Sequence, residues 1–252
     1  MDARNSILAV ASCIIAVLIG GGVAQAEGSP SGLLLRFDEP DGRRFTDYSG
    51  SGHTITPIGA VTRSSTDKIS GTSSVCFDGN SYLQIDASSD FVFADDLTID
   101  FWFKSSYTER QHALSFGNYL GQNNIDFDFA DRDNATASGP VGFWLYWNSG
   151  GTNKITSGTR LQYMDGKWHH VAMVRSKGVI TAYMDGVALG QVSYSGTLGT
   201  PTQAVLVGAA NGVLNFNWQG CIDELRIING RALWTSDFNP WLYLPPPLNA
   251  CR

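Results

Sequence analysis

Charge is scarce in this chain: only 16% of its 252 residues are Asp, Glu, Lys or Arg, and they balance to a net −6. No basic stripe exists to neutralise phosphates, which excludes a nucleic-acid partner and argues equally against an anionic membrane surface. Cysteine is nearly as rare, with four in total and none at the C-x-x-C spacing of a zinc or redox motif. Beyond residue 26 there is no amphipathic helical pattern of useful length, no internal repeat and no charge run. Low complexity is confined to Pro245-Pro246-Pro247, which cannot enter a sheet. What these absences leave is a chain with enough apolar sequence, 43%, to build a core from strands.

Glycine is abundant, at 28 residues, as expected for short strands joined by tight turns. Predicted strands run over Leu33 to Phe37, His53 to Ile58, Ser73 to Phe77 and Tyr82 to Ile85, with the turn Asp78-Gly79-Asn80 between the last two. Leu97, Ile99, Phe101 and Phe103 alternate with Thr98, Asp100, Trp102 and Lys104. Further strands follow at Ala113 to Phe116, Ile125 to Phe129, Val141 to Trp147, Ala204 to Gly208 and Gly220 to Ile228. The clearest pattern is Lys167 to Gly186, KWHHVAMVRSKGVITAYMDG, two strands about a Ser176-Lys177-Gly178 turn. Its phase assigns His170 an inward position with Trp168 and Val174, as a hydrogen-bonded core histidine. Strands at this spacing make an all-β sandwich of one domain, residues 33–240, after a flexible 27–32 and before a Pro-rich tail, 241–252.

At the N-terminus, Ile7 to Val23 is apolar or small throughout and Ala24-Gln25-Ala26 is an A-x-A cleavage site. Residues 1–26 therefore read as a signal peptide, the alternative being an uncleaved anchor, since the run approaches membrane-spanning length. Either way the chain is exported, secreted or held at the cell surface. Cys13 lies in that segment, so Cys76, Cys221 and Cys251 remain for one bridge and one leftover thiol.

The blocks LLLRFDE, FTDYSGSGH, KISGTSSVCFDGNSYLQI, LTIDFWFK, the W-H-H-V-A hairpin with its Y-x-D-G, AVLVGA and GCIDELRI occur in that order. In this the chain resembles laminin G-like and pentraxin-like domains of the concanavalin A-like lectin/glucanase superfamily. IINGRALWTSDFNP resembles the ending of bacterial and phage members. The resemblance implies a jelly roll of two antiparallel sheets and a function anywhere among lectins, glycosidases, adhesins and structural proteins. It also implies a disulfide: such domains bridge a G-C-I strand to a later cysteine, which here is Cys221 to Cys251. The residues by themselves leave Cys76–Cys221 open.

Family members that hydrolyse β-glucans carry E-x-D-x-E on one strand, and this chain does not. Asp126-Phe127-Asp128 alternates correctly but has no flanking Glu, and Asp223-Glu224 would point to opposite faces. Catalysis is therefore not expected. Asp126, Asp128, Asp131, Asp133 and Asn134 gather oxygen ligands suited to calcium, against the alternative of a solvated acidic loop. A fainter calcium set is Asp38, Asp41, Asp47 and Asp223. Sugar binding needs aromatic faces with amides nearby. Phe143 to Asn148 offers Trp144, Tyr146 and Asn148 on one side, with Tyr119 and Trp218 as an extension. The alternative is that these rings are covered by loops or by another subunit. The expected function is carbohydrate recognition, of a glycan or cell-surface polysaccharide and with calcium as an aid. The competing expectation is a structural or adhesive homo-oligomer.

Overall fold

The computed structural model describes residues 32–40, 44–119, 121–130, 141–147, 153–159 and 161–244. The N-terminal segment 1–26, Cys251 and most of the Pro-rich tail lie outside the described residues. Among the described residues no helix is long and apolar enough to cross a membrane. Among the described residues fifteen strands form two antiparallel sheets, as a jelly roll requires.

The first sheet contains β1 (Gly32–Leu35), β3 (Thr62–Ser64), β4 (Ser74–Asp78), β6 (Leu97–Lys104), β11 (Trp168–Ser176), β12 (Val179–Met184), β13 (Val187–Ser193) and β15 (Gln219–Asn229). Their order is β13-β12-β11-β6-β15-β4-β3, with β1 also on β15. The second contains β2 (Ile55–Ile58), β5 (Tyr82–Ile85), β7 (Gln111–Phe116), β8 (Ile125–Phe129), β9 (Val141–Trp147), β10 (Asn153–Thr159) and β14 (Val205–Val207), ordered β10-β9-β8-β7-β14-β5-β2. Every predicted strand is present. β3, β10 and β13 are additions, polar or Gly-containing strands at or near sheet edges, where one-sided burial weakens the alternation that reveals a strand.

The core lies between the sheets. Ile99, Phe101 and Phe103 of β6 and Val171 and Met173 of β11 face Phe127 and Phe129 of β8 and Phe143 and Leu145 of β9. This corrects the phase of the hairpin. His170, Ala172 and Val174 point away from the other sheet, and they are buried by Trp234 and Phe238 of the C-terminal segment, which crosses the outer face of the first sheet. Asp100, also on that outer face, receives a bidentate pair from Arg226 at 2.9 Å and Nε2 of His170 at 3.2 Å. Burial opposes the ionised Asp100 carboxyl, but the Arg226 and His170 charges outweigh it and hold its pKa low.

The disulfide is Cys76–Cys221, which corrects the expectation of Cys221–Cys251. The reason is register: Cys221 of β15 stands directly opposite Cys76 of β4 across an antiparallel pair. Opposed residues bring Cβ atoms within bridging distance without moving the backbone.

Candidate binding face

Side chains of the second sheet that point away from the core form two adjoining cross-strand rows. Register places His112 of β7, Asp128 of β8, Trp144 of β9 and Thr156 of β10 in one row. Ser115, Asp126, Tyr146 and Lys154 form the next. The same alternation that sends Phe127, Phe129, Phe143 and Leu145 inward therefore gathers two carboxylates, an imidazole, an indole and a phenol on the outer side.

The charges pair. Nδ1 of His112 donates to Oδ1 of Asp126 at 2.9 Å, and Nε of Arg110 donates to Oδ2 of Asp128 at 2.7 Å. Arg110 also donates to the hydroxyl of Tyr119 and lies over the Phe216 ring at 5.2 Å. Both carboxylates and His112 are fully buried. Burial raises the Asp128 pKa to about 6, despite the opposing charges of His112 and Arg110. Burial alone would lower His112, but Asp126 and Asp128 outweigh it and raise its pKa. Trp144 and Tyr146 lie 5.0 Å apart, centroid to centroid, and Nζ of Lys154 sits 4.5 Å above the Trp144 ring.

Of the expected platform, Trp144 and Tyr146 do share a face, but they are only 5% and 6% exposed, so the covered alternative describes them. Tyr119 is half-buried and reaches this face through Arg110 and an edge contact with His112 at 5.2 Å. Trp218 is not part of it. It is fully buried in the inter-sheet core against Phe103 and Phe129, because its backbone N–H pairs with the Gly208 carbonyl and turns the ring inward. Asn148 lies outside the described residues.

Of the calcium set, Asp126 and Asp128 are brought together, while Asp131, Asp133 and Asn134 lie outside the described residues. One oxygen of each carboxylate is taken, by Arg110 on Asp128 and by His112 on Asp126, and the guanidinium beside them opposes a cation there. Among the described residues no group of three or more acidic, His or Cys side chains is arranged to hold a metal. The fainter set is spent on the backbone: Asp47 accepts from Leu34, Ser49 and His53, Asp38 from Thr72 and Ser73, and Asp223 from Ile69 and Ser70. Asp41 is outside the described residues.

Sequence reasoning missed Arg110 and His112. The signal was available as Arg110-x-His112 entering one predicted strand and Asp126-x-Asp128 on the next, opposite charges at the same period of two.

The fold and this row of polar groups place the chain among jelly-roll domains of the lectin-like class. The family model described as the concanavalin A-like lectin/glucanases superfamily matches residues 77–236, and the chain belongs to that superfamily. No curated protein matches it in sequence. Among solved structures it is similar to domain 4 of AbnA, a GH43 extracellular arabinanase from Geobacillus stearothermophilus in complex with arabinotriose. That likeness has a TM-score of 0.57 and 17% identity, over 79% of this chain and 92% of that one. It is similar to the binding domain of Paraclostridial Mosquitocidal Protein 1 (0.57, 15%, over 80% and 49%). It is also similar to the botulinum neurotoxin serotype D ligand binding domain in complex with N-acetylneuraminic acid (0.56, 10%, over 85% and 49%). The chain spans about half the length of these two toxin domains. At such identities the likeness is one of fold.

Proposed function

We propose that the chain is an exported, non-catalytic glycan-recognition domain whose ligand is held on the outer face of the second sheet. One observation carries this reading. Nε2 of His112, Oγ of Ser115, Oδ2 of Asp126, Oδ1 of Asp128 and Nε1 of Trp144 are buried on this face with no hydrogen-bond partner among the described residues. A buried polar group left unpaired costs about 1–3 kcal/mol, so a cluster of them is a cost that a polyhydroxylated ligand would offset, which requires Trp144 and Tyr146, now buried, to become accessible to it. Alternating donors and acceptors beside two aromatic rings match the alternating hydroxyls and apolar faces of a sugar.

The arabinotriose and N-acetylneuraminic acid complexes of similar folds support a saccharide over another polar ligand. The N-terminal apolar run with its A-x-A site, read as an export signal, and the Cys76–Cys221 bridge support an oxidising, extracellular setting. Calcium at these carboxylates would sit against the positive charge of Arg110, so recognition is assigned to the protein's own groups. Catalysis is not part of the proposal, since each carboxylate is engaged by a cationic partner.

The test is a broad glycan array with the wild type, Trp144→Ala, Tyr146→Ala and Lys154→Ala, each checked for an intact melting transition. Binding by the wild type and its loss in the folded variants is expected. A silent wild type, or three variants that bind like it, would sink the reading. An assembling homo-oligomer is favoured instead by the exposed Leu242 and Tyr243, 75% and 45% accessible, and would show as large species on gel filtration.

A further inference from the structure

The opposite side of the sandwich carries an open groove of about 390 Å³, where the C-terminal segment crosses the outer face of the first sheet. Its walls include Trp102, Trp168 and Trp241, and its polar side is Asp165, His169 and Asp185. The volume is within the range of small-ligand sites, roughly 300–1,000 Å³. The geometry points to a second glycan subsite here, one that takes a neutral pyranose presenting vicinal hydroxyls, with Trp241 as its stacking surface. It rests on the reading of the chain as a glycan-recognition domain but uses none of the residues of the first face.

The aromatic walls are held before any ligand arrives. Nε1 of Trp168 donates to Asp67 at 3.0 Å, and Asp67 is itself paired with Lys104 at 2.8 Å. Trp241 stands 4.5 Å from Trp102, centroid to centroid, on a short turn spanning Pro240–Tyr243. Asn239 caps that turn, its side-chain oxygen accepting from the Trp241 N–H at 3.1 Å. The segment is also tied down just before the turn: the Phe238 N–H donates to the Gly186 carbonyl at 2.9 Å. Gly186 has φ +81°, and a Cβ there would overlap the Phe238 carbonyl oxygen, so only glycine permits the approach. The result is an indole held 56% exposed beside the buried Trp102 and the half-buried Trp168. A large aromatic left in water by so determined a backbone is suited to cover a ligand's apolar face.

The polar side fits hydroxyl donors. Nδ1 of His169 bonds Oδ2 of Asp185 at 2.8 Å, and its Nε2 bonds Oδ1 of Asp165 at 3.2 Å. The other Asp185 oxygen accepts from the His170 N–H at 2.8 Å. Two carboxylates bridged by one imidazole are rigid, and a carboxylate has roughly four acceptor positions, so each retains capacity for a ligand O–H. Lys167, 2.9 Å from Asp165, offsets one of the two carboxylates, and hydrogen bonding to Asp185 and Asp165 raises the pKa of His169, which offsets the other in its protonated form. In that form little net charge remains to attract an ion, which favours a neutral sugar over an ammonium or carboxylate ligand.

The experiment is an array of neutral oligosaccharides probed with the full chain, Trp241→Ala, Asp185→Asn and Trp144→Ala, followed by calorimetric titration of a soluble binder. Trp241 is more than half exposed, so its truncation should leave the fold intact, which the melting temperature checks. Expected is a loss of about tenfold or more in affinity for one group of neutral glycans in Trp241→Ala, with that group retained in Trp144→Ala. Unchanged binding in folded Trp241→Ala overturns the subsite, while loss confined to Trp144→Ala leaves the first face standing alone. Loss confined to Trp241→Ala has the opposite meaning: the subsite stands and the first face falls. A wild type that binds no neutral glycan overturns the subsite outright.

Discussion

His112 stands in register opposite Asp128, yet it gives its Nδ1 proton to Asp126, the diagonal neighbour, at 2.9 Å. The register shift between His112 and Leu114 in β7 permits this, because a bulge re-aims the side chain that precedes it. Asp128 is thereby left to Arg110, and two ion pairs form side by side instead of one shared by three groups.

That arrangement has a pH signature. The folded-state pKa of His112 is raised, so its contribution is present in full below its unfolded value and is lost as pH rises through the folded value. Asp126→Asn removes the partner. NMR titration of His112 in the folded variant should show its pKa fall, and stability near pH 6 should drop by about 1.5–3 kcal/mol, the worth of a charged hydrogen bond. An unmoved His112 titration would show that Asp126 is not its partner in solution.

The bridge across β4 and β15 is a second point of decision. Cys76 and Cys221 are 145 residues apart in sequence, so their link constrains most of the unfolded chain. Cys76→Ala with Cys221→Ala should cost about 2–4 kcal/mol in denaturant unfolding, whereas Cys251→Ala should cost nothing measurable. Non-reducing peptide mapping should recover Cys76 joined to Cys221. A Cys221–Cys251 peptide instead would overturn the assignment.

Much of the architecture was legible because strands with one face in a core write a period of two, and the β11–β12 hairpin wrote it most clearly. The hairpin could not say which face was the core, since both are buried: Val171 and Met173 by the second sheet, His170 and Ala172 by Trp234 and Phe238. The pairing of Cys221 depended on register with β4, which no local pattern encodes. Nothing local marks Trp218, flanked by Asn217 and Gln219, as a core residue; its long-range contacts with Phe103 and Phe129 do. The Trp144 and Tyr146 face was correctly phased, but the cationic groups that meet it, Arg110 and His112, come from another part of the chain.

Glu224 yields the last prediction. It occupies a register irregularity in β15, at φ +50°, where the strand passes from β4 to β1 as its neighbour on one edge. The bulge turns its carboxyl into a buried position, where one oxygen meets the Ser70 hydroxyl and the other has no partner among the described residues. Burial raises its pKa to about 7, with Ser70 and Arg36 opposing and Asp38 adding to the rise. A folded pKa above the unfolded one means that its contribution is greatest in acid and is lost as pH climbs from about 4.5 to about 7. Glu224→Gln keeps the shape and the Ser70 contact but cannot ionise. It should therefore match the wild type near pH 4 and exceed it by roughly 1–3 kcal/mol at pH 8. The check is urea unfolding of both proteins at the two pH values. A variant less stable than the wild type at pH 8 would mean that the ionised carboxylate is a net stabiliser of the bulge.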